Sequence, residues 1–276
     1  MKSYLKEIPE RRKQIMRKRI ISIISLILAA AMLCAALSLT ACKKSGNDEK
    51  ETSPAGVVQN NETSDGSADG KKQNSEVDQM SYEEIYQEKA NEFADNSHPI
   101  AVIVMENKDA IVFELYEDIA KNTVLNFISL ANSGFYDGII FHRVIKNFMI
   151  QTGDPTGTGM GGPGYRIFGE FGNNNFKNDI SHLPGVVSMA RQGNRYNPSA
   201  AYNTAGSQFF ICVADASYLD NDYAAFGKVI DGMDVSYAIS NTATNSNDKP
   251  LSDQKMAYVR VDTHDATYAE PETIAE

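Results

Sequence analysis

Short apolar runs separated by Gly- and Asn-rich turns fill the chain from about residue 100 to 262. Ala101-Val-Ile-Val-Met105 and Ala110-Ile-Val-Phe-Glu-Leu115 flank Glu106-Asn-Lys-Asp109, a pattern that predicts a hairpin. Further strands are expected at 139–144, 147–152, 186–190, 208–213, 225–230 and 256–262. Some eight short strands with tight turns predict a mainly β fold, a closed barrel or a sandwich. Helical spacing interrupts them twice. Val124, Phe127, Ile128 and Ala131 make one apolar stripe behind Asn122 as N-cap, with Gly134 at the C-terminal cap position. A shorter helix is expected near 233–240. Ahead of the strands, Ser81-Tyr-Glu-Glu84 reads as a capping box with Ile85, Lys89 and Phe93 behind it, predicting a helix over about 82–94. The pattern leaves open whether that helix packs on the β domain.

The first 41 residues have a different texture. Residues 1–19 carry eight Lys or Arg against two Glu, and a mostly apolar run follows from Ile20 to Leu39. A basic region, an apolar stretch and small residues before a cut describe a secretory signal. Leu39-Thr-Ala-Cys42 resembles the lipobox of bacterial lipoproteins, which implies cleavage before Cys42 and acylation of its thiol. An uncleaved transmembrane helix also fits an apolar run of that length. Either way the basic end stays in the cytoplasm, and the rest lies at the cell membrane's extracytoplasmic face. Residues 42–80 are almost wholly polar and are expected to be a flexible tether. The organisation is thus a signal peptide at 1–41, a lipidated Cys42 and tether to 80, a helix and linker at 81–97, a β domain at 98–264 and a frayed acidic tail at 265–276.

Composition narrows the functions. A formal charge of −10 disfavours a nucleic-acid binder, because such proteins neutralise phosphates with Lys and Arg. Beyond residue 41 the balance is 18 Lys and Arg against 34 Asp and Glu, so membrane adhesion would come from lipid rather than a basic patch. Three Cys (34, 42 and 212) supply neither a disulfide framework nor a four-thiolate metal site, and Cys212 reads as a small buried apolar side chain. His98, His142, His182 and His264 lack ligand spacing, so no metal is expected. Gly157-Thr-Gly-Met-Gly-Gly162 satisfies a Gly-x-Gly-x-x-Gly pattern, yet Pro163-Gly164 follows where a nucleotide fingerprint needs a helix. Those glycines are expected to shape a surface loop.

The chemistry concentrates in Phe141-His-Arg-Val-Ile-Lys-Asn-Phe-Met-Ile-Gln-Thr-Gly-Asp154. Strand alternation puts the Arg143 cation on one face with Phe141 and Ile145, and Phe148, Met149 and Gln151 follow within a strand's length. Gly206-Ser-Gln-Phe-Phe-Ile-Cys212 again sets an amide beside paired aromatics, and apolar pockets with a few polar groups are the usual form of ligand sites.

With Asn126-Phe127, Gly134-Phe-Tyr-Asp-Gly138, Gly169-Glu-Phe171, Gly185-Val-Val-Ser-Met-Ala190, Leu219-Asp220 and Phe226-Gly-Lys-Val229, these segments resemble the cyclophilin family of peptidyl-prolyl cis-trans isomerases through nearly all of 98–263. The resemblance implies a closed eight-stranded antiparallel β-barrel capped by two α-helices, with a proline-peptide groove on its outer face. It implies Arg143 as donor to the twisted imide nitrogen and Gln151 as holder of the carbonyl side of the substrate. It further implies a proline pocket of Phe148, Met149, Phe210 and Leu219, with Gln208 and the backbone around Ala190 and Arg191 binding the flanking peptide. Many cyclophilins carry Trp beside Leu219 and His further on, where this chain has Tyr218 and Tyr223. Turnover is expected to survive the first change, and Tyr223 can still wall the pocket and offer a hydroxyl. Arg191 to Ala205 is longer than the usual connection by several residues, and is expected to lie beside the groove. No cofactor is required. The expected partners are proline-containing unfolded or flexible polypeptides and the membrane through the lipid, with the protein a monomer. A module that binds proline segments without turnover is the alternative, and loss of turnover in Arg143→Ala separates the two.

Overall fold

The hairpin forms as the pattern predicts. In the computed structural model, which describes residues 79–275, β1 (Ile100–Met105) pairs antiparallel with β2 (Ala110–Leu115), Ile103 facing Ile111. All described residues lie within one compact unit, Gly70–Glu276. The expected signal peptide, Cys42 and most of the tether lie outside the described residues. Among those described, no helix is long and apolar enough to cross a membrane.

Six further strands complete an antiparallel sheet: β3 (Arg143–Ile145), β4 (Met149–Thr152), β6 (Val186–Met189), β7 (Phe209–Cys212), β8 (Ala225–Asp231) and β9 (Met256–Asp262). Their order is β3-β4-β7-β6-β8-β2-β1-β9. The sheet is a half-barrel rather than the fully closed barrel expected. Its seam, between β9 and the segment before β3, is a single bridge (Ile140–Lys255) laced by Phe141 N–H to the Gln254 carbonyl and Met256 N–H to the Ile139 carbonyl, both 2.9 Å. The physical reason is a slip in alternation. Ile139 and Phe141 point into the interior, but so does Val144, so the phase shifts at His142 and the ladder begins only at Arg143. That slip turns Arg143 outward. It shares its face with Ile145, not, as strand alternation suggested, with Phe141.

α1 (Tyr82–Glu92) starts at the expected capping box, where Ser81 N–H donates to Glu84 Oε2 at 2.7 Å and Glu84 N–H to Ser81 Oγ at 3.2 Å. It packs on the sheet, so among the described residues three helices serve the fold rather than two. Ile85 covers Val102, Val104 and Val112, while Ala101, Ile103 and Met105 face the interior. β1 is apolar at every position because both of its faces are buried. α2 (Lys121–Asn132) pushes Phe127 into the interior, within 5.2–5.5 Å of the Phe113, Tyr136, Phe209 and Phe226 rings. Its N-terminus is not capped by Asn122, which lies inside the first turn. Glu170 accepts from the Asn122 and Thr123 amides instead, a carboxylate at the positive end of the helix. Gly134 follows the C-cap at φ +80, as expected of a terminating glycine. α3 is Met233–Ser240.

The tail is docked rather than frayed. Asn122 Nδ2 donates to the Glu272 carbonyl and Glu272 N–H returns to Asn122 Oδ1, and β10 (Ile274–Ala275) pairs with β5 (Tyr165–Arg166). A half-buried helix asparagine thus gives the tail two backbone anchors that its acidic composition did not suggest.

Candidate active site

The outer face of β4 and β7 carries a row fixed by sheet register. Arg143 lies opposite Gln151, Gln151 opposite Phe210, and Phe210 opposite Ser188. Cross-strand neighbours stand about 5 Å apart, so four strands deliver a cation, an amide, a ring and a hydroxyl in line. Gly153, at φ +88, ends β4 where any Cβ would lie 2.3 Å from the Ser207 carbonyl, so only glycine permits this close approach.

Beneath the row is a small apolar cluster separate from the interior: Met149, Phe210, Cys212 and Ala216, with Ile145, Phe148, Ala190, Leu219 and Tyr223 around it. Above it opens a hollow of about 270 Å³, lined by Arg143, Phe148, Met149, Gln151, Ala190, Arg191, Phe210, Leu219 and Tyr223. Nine of the sequence-derived site residues therefore meet in one place. Gln208 is next door and joined to it, since Gln151 Nε2 donates to Gln208 Oε1 at 3.0 Å. Gln208 Nε2 in turn reaches the Gly159 and Gly161 carbonyls of the glycine loop. Tyr218 does not line the hollow. It is 68 % exposed and packs against Phe148 at the rim, ring centroids 5.8 Å apart.

Arg143 Nη1 donates to Gln151 Oε1 at 3.2 Å, and its Nε lies 3.9 Å from Asp248 Oδ2. The guanidinium thus stands at the edge of an apolar floor with most of its donors unused. Arg191 is different. Its side chain is 9 % exposed, its Nε donates to the Asp222 carbonyl, and its guanidinium sits 4.7 Å from the Tyr223 ring and about 5.5 Å from those of Phe171 and Tyr202. Caged by three rings, it braces the pocket wall.

Sequence reasoning missed His142, Thr158, Gly159 and Asn247, which also line the hollow. His142 was one of four scattered histidines, and its place beside Arg143 was the available signal. Burial lowers its pKa, against the pull of Asp154. Asp154 lies beneath the glycine loop. Burial would raise its pKa, but Thr156 and the Gly159 and Gly161 amides outweigh that and bring it to about 2. Behind Phe210, His182 links Asp220 (2.8 Å) to Ser188 Oγ (3.0 Å). This is an Asp–His–Ser chain, but Ser188 is fully buried, so it stiffens the floor and offers no accessible nucleophile. Cys212, expected to be a buried apolar side chain, is one; burial pushes its thiol up to about 12.

A family model described as cyclophilin type peptidyl-prolyl cis-trans isomerase/CLD matches residues 100–261. The chain is similar to peptidyl-prolyl cis-trans isomerase-like 1 of Emericella nidulans, 42% identical over 149 residues, which are 54% of this chain and 86% of the relative. It is likewise 42% identical over 147 residues to peptidyl-prolyl cis-trans isomerase ppi1 of Schizosaccharomyces pombe, covering 53% and 88%. A crystal structure of a Cryptosporidium parvum cyclophilin type peptidyl-prolyl cis-trans isomerase superposes with a TM-score of 0.53 at 31% identity, over 60% of this chain and 98% of that one. A second structure of that protein, in the presence of the dipeptide Ala-Pro, gives 0.52, also at 31% identity, over 59% and 98%.

Proposed function

The chain belongs to the cyclophilin-type family of peptidyl-prolyl cis-trans isomerases, and from that premise we propose how its residues turn an X–Pro bond and where they act. Resonance gives the peptide C–N bond a rotational barrier of about 18–20 kcal/mol. As the bond twists, the proline nitrogen becomes pyramidal and regains a lone pair. A donor next to that nitrogen is useful only in the twisted state, so its hydrogen bond favours the transition state over either planar isomer.

Arg143 is that donor. Its place at the edge of the Phe148, Met149, Phe210 and Leu219 hollow supports the assignment, because a pyrrolidine ring seated there leaves its nitrogen at the rim. Gln151, already in hydrogen-bond contact with Arg143, takes the carbonyl of X. Arginine stays charged at any working pH and presents a rigid fork, so the step needs no proton transfer. The single observation that carries this reading is a half-exposed guanidinium in register with an amide over a buried aromatic floor. In an exchange assay on a proline tetrapeptide, Arg143→Ala should lower kcat/KM by about a hundredfold or more, since a transition-state donor is worth roughly 2.7–4 kcal/mol. Unchanged turnover would overturn the mechanism, and unchanged turnover with the peptide bound elsewhere would overturn the site.

We place the enzyme, as a monomer, on the outer face of the cell membrane, held by a lipid on Cys42 and acting on exported chains whose X–Pro bonds emerge partly cis. The support is the basic and apolar order of residues 1–39 and the Leu39-Thr-Ala-Cys42 ending. The family match begins at residue 100 and is independent of this. Mass spectrometry of the membrane-bound protein should find a diacylated Cys42 as its first residue. An intact Met1 would overturn the anchor and leave the isomerase reading standing.

A further inference from the structure

Seven X–Pro bonds lie among the described residues, and a groove can take up only one that its own fold leaves free on both sides. Pro99 and Pro250 are buried, and Pro163 is half-buried. Pro155 follows buried Asp154, and Pro184 lies between buried His182 and buried Gly185. Pro271 is pinned on either side, by Ser129 Oγ to Glu270 and by Asn122 to the Glu272 backbone. Asn197-Pro198 differs from all of these. Every residue from Gln192 to Ala200 is exposed, and the Tyr196 ring just before the bond is 97 % exposed.

This bond sits at the tip of the extra loop, whose roots are fixed. Ala190 and Arg191, which lead into it, line the proline hollow, and Gln192 N–H donates to Thr204 Oγ1 at 3.0 Å to close its base. Ala201 is buried, and Asn203 Oδ1 accepts from the Gly169 amide. The tip is held only by itself. Asn194 Oδ1 accepts from the Tyr196 and Asn197 amides, and Ser199 Oγ donates to Asn197 Oδ1. Among the described residues, no hydrogen bond or ion pair joins 193–200 to anything beyond Tyr202. An X–Pro bond that no tertiary partner locks populates cis at about 5–30%.

Charge also suits the tip to a second copy. Arg195 is the one charged residue between Gln192 and Thr204, in a chain of net charge −10. Charges more than about 8 Å apart are largely screened at physiological salt, so an approaching copy meets this cation rather than the net charge. Beside that copy's hollow stand the partly exposed carboxylates of Asp222 and Asp248. The tip's own groove is a poorer match. Pro198 is three residues from buried Ala201, at most about 10 Å of chain, which leaves no slack for the tip to double back. We propose that Asn197-Pro198 is a substrate of this enzyme in trans, the loop tip of one copy entering the proline hollow of a second during a transient encounter between monomers. This rests on the isomerase reading.

The test is NMR exchange on the full-length chain, with an isotope-labelled Arg143→Ala copy as substrate and unlabelled wild type as catalyst. Asn197, Pro198 and Ser199 of the labelled copy should each give a cis and a trans signal. Alone, these should interconvert on the uncatalysed scale of tens to hundreds of seconds. Adding equimolar wild type should speed the exchange at least tenfold, in proportion to the amount added, and excess proline tetrapeptide should slow it by competition. Unlabelled Arg143→Ala should have no effect. No acceleration by wild type that does turn over the tetrapeptide overturns the self-substrate and leaves the isomerase standing, as does a single isomer at Asn197-Pro198. Fast exchange in labelled wild type that is unchanged on dilution puts the reaction within one copy and overturns action in trans. Turnover of neither the tetrapeptide nor the loop overturns both readings.

Discussion

The sheet has two apolar outer faces, and they are completed in different ways. Under α1, Ile100, Val102, Val104 and Val112 are wholly buried, sealed by Ile85 and ringed by Tyr82, Tyr86 and Phe93. The ion pairs of Lys89, to Asp231 at 2.8 Å and to Glu92 at 3.3 Å, stand at the periphery. Across the barrel, Met149, Phe210 and Cys212 are as apolar and nearly as buried, but what lies over them is an opening, edged by Arg143, Gln151 and Gln208. One face is a packing surface that its own chain covers. The other is left for a ring from another chain. What separates them is the polar edge, since apolar side chains floor both.

Truncating each face should separate the two roles. Phe210→Ala removes the floor of the hollow together with its edge-on contact to Tyr223 at 5.8 Å. It should cost about 3–5 kcal/mol of unfolding free energy and raise KM at least tenfold while the protein is folded. Ile85→Ala deletes a comparable buried side chain from the covered face, and should cost about 2–4 kcal/mol with kcat/KM within twofold of wild type. Denaturant titrations paired with exchange kinetics check both. An unchanged KM in Phe210→Ala would mean the open face is not where proline binds. A large activity loss in folded Ile85→Ala would mean the two faces communicate through β1 and β2.

Much of this was legible in the sequence for the same reason that the faces look alike. Short apolar runs bounded by turn residues mark the hairpin, β4, β6, β7, β8 and β9 within a residue or two, because local side-chain burial decides them. The site residues were legible through the family resemblance, and most converge. What alternation could not give is the phase slip at His142, which is set by how the Gly138–Phe141 segment laces to β9. Nor could it give the docked tail or the Glu170 cap, which depend on partners far away in sequence. The covering of the Val102 face by α1 had a signal in β1 itself, six apolar residues with no polar alternation, which is how a strand buried on both sides reads.

The open face also depends on polar anchors that the covered face does not use, and acid should find them. Asp154 titrates at about 2 when folded against an ordinary value of 3.8. A carboxyl lowered by folding adds stability that is complete above pH 3.8 and is lost as pH falls through 2. Asp154→Asn should therefore be less stable than wild type by about 1–2 kcal/mol at pH 6, the gap closing toward pH 2. Amide exchange at Thr158 and Gly159, which donate to this carboxylate, should quicken over the same range, while Val102 and Val104 under α1 stay protected. Equal protection of Gly159 at pH 5 and below pH 2 would show that the glycine loop is held by something other than this carboxylate.

The smallest effect expected lies at the outermost point of the open face. Asp248 Oδ2 is 3.9 Å from Arg143 Nε, with the two side chains 46 % and 44 % exposed. So loose and wet a pair is worth well under about 1 kcal/mol. Its use is geometric: Val144 N–H donates to the Asp248 carbonyl at 2.7 Å, so the carboxylate is fixed to the strand that carries Arg143 and keeps the guanidinium turned toward the groove. Asp248 sits at φ +61, a conformation that asparagine also tolerates, so Asp248→Asn removes the charge and keeps the backbone. The substitution should lower kcat about twofold at low salt with KM unchanged, and the difference should vanish as salt screens exposed charges. A tenfold loss that persists in high salt would instead put Asp248 among the groups that bear on the twisted bond. The polar edge that distinguishes the two faces would then extend from β3 into the 241–250 segment.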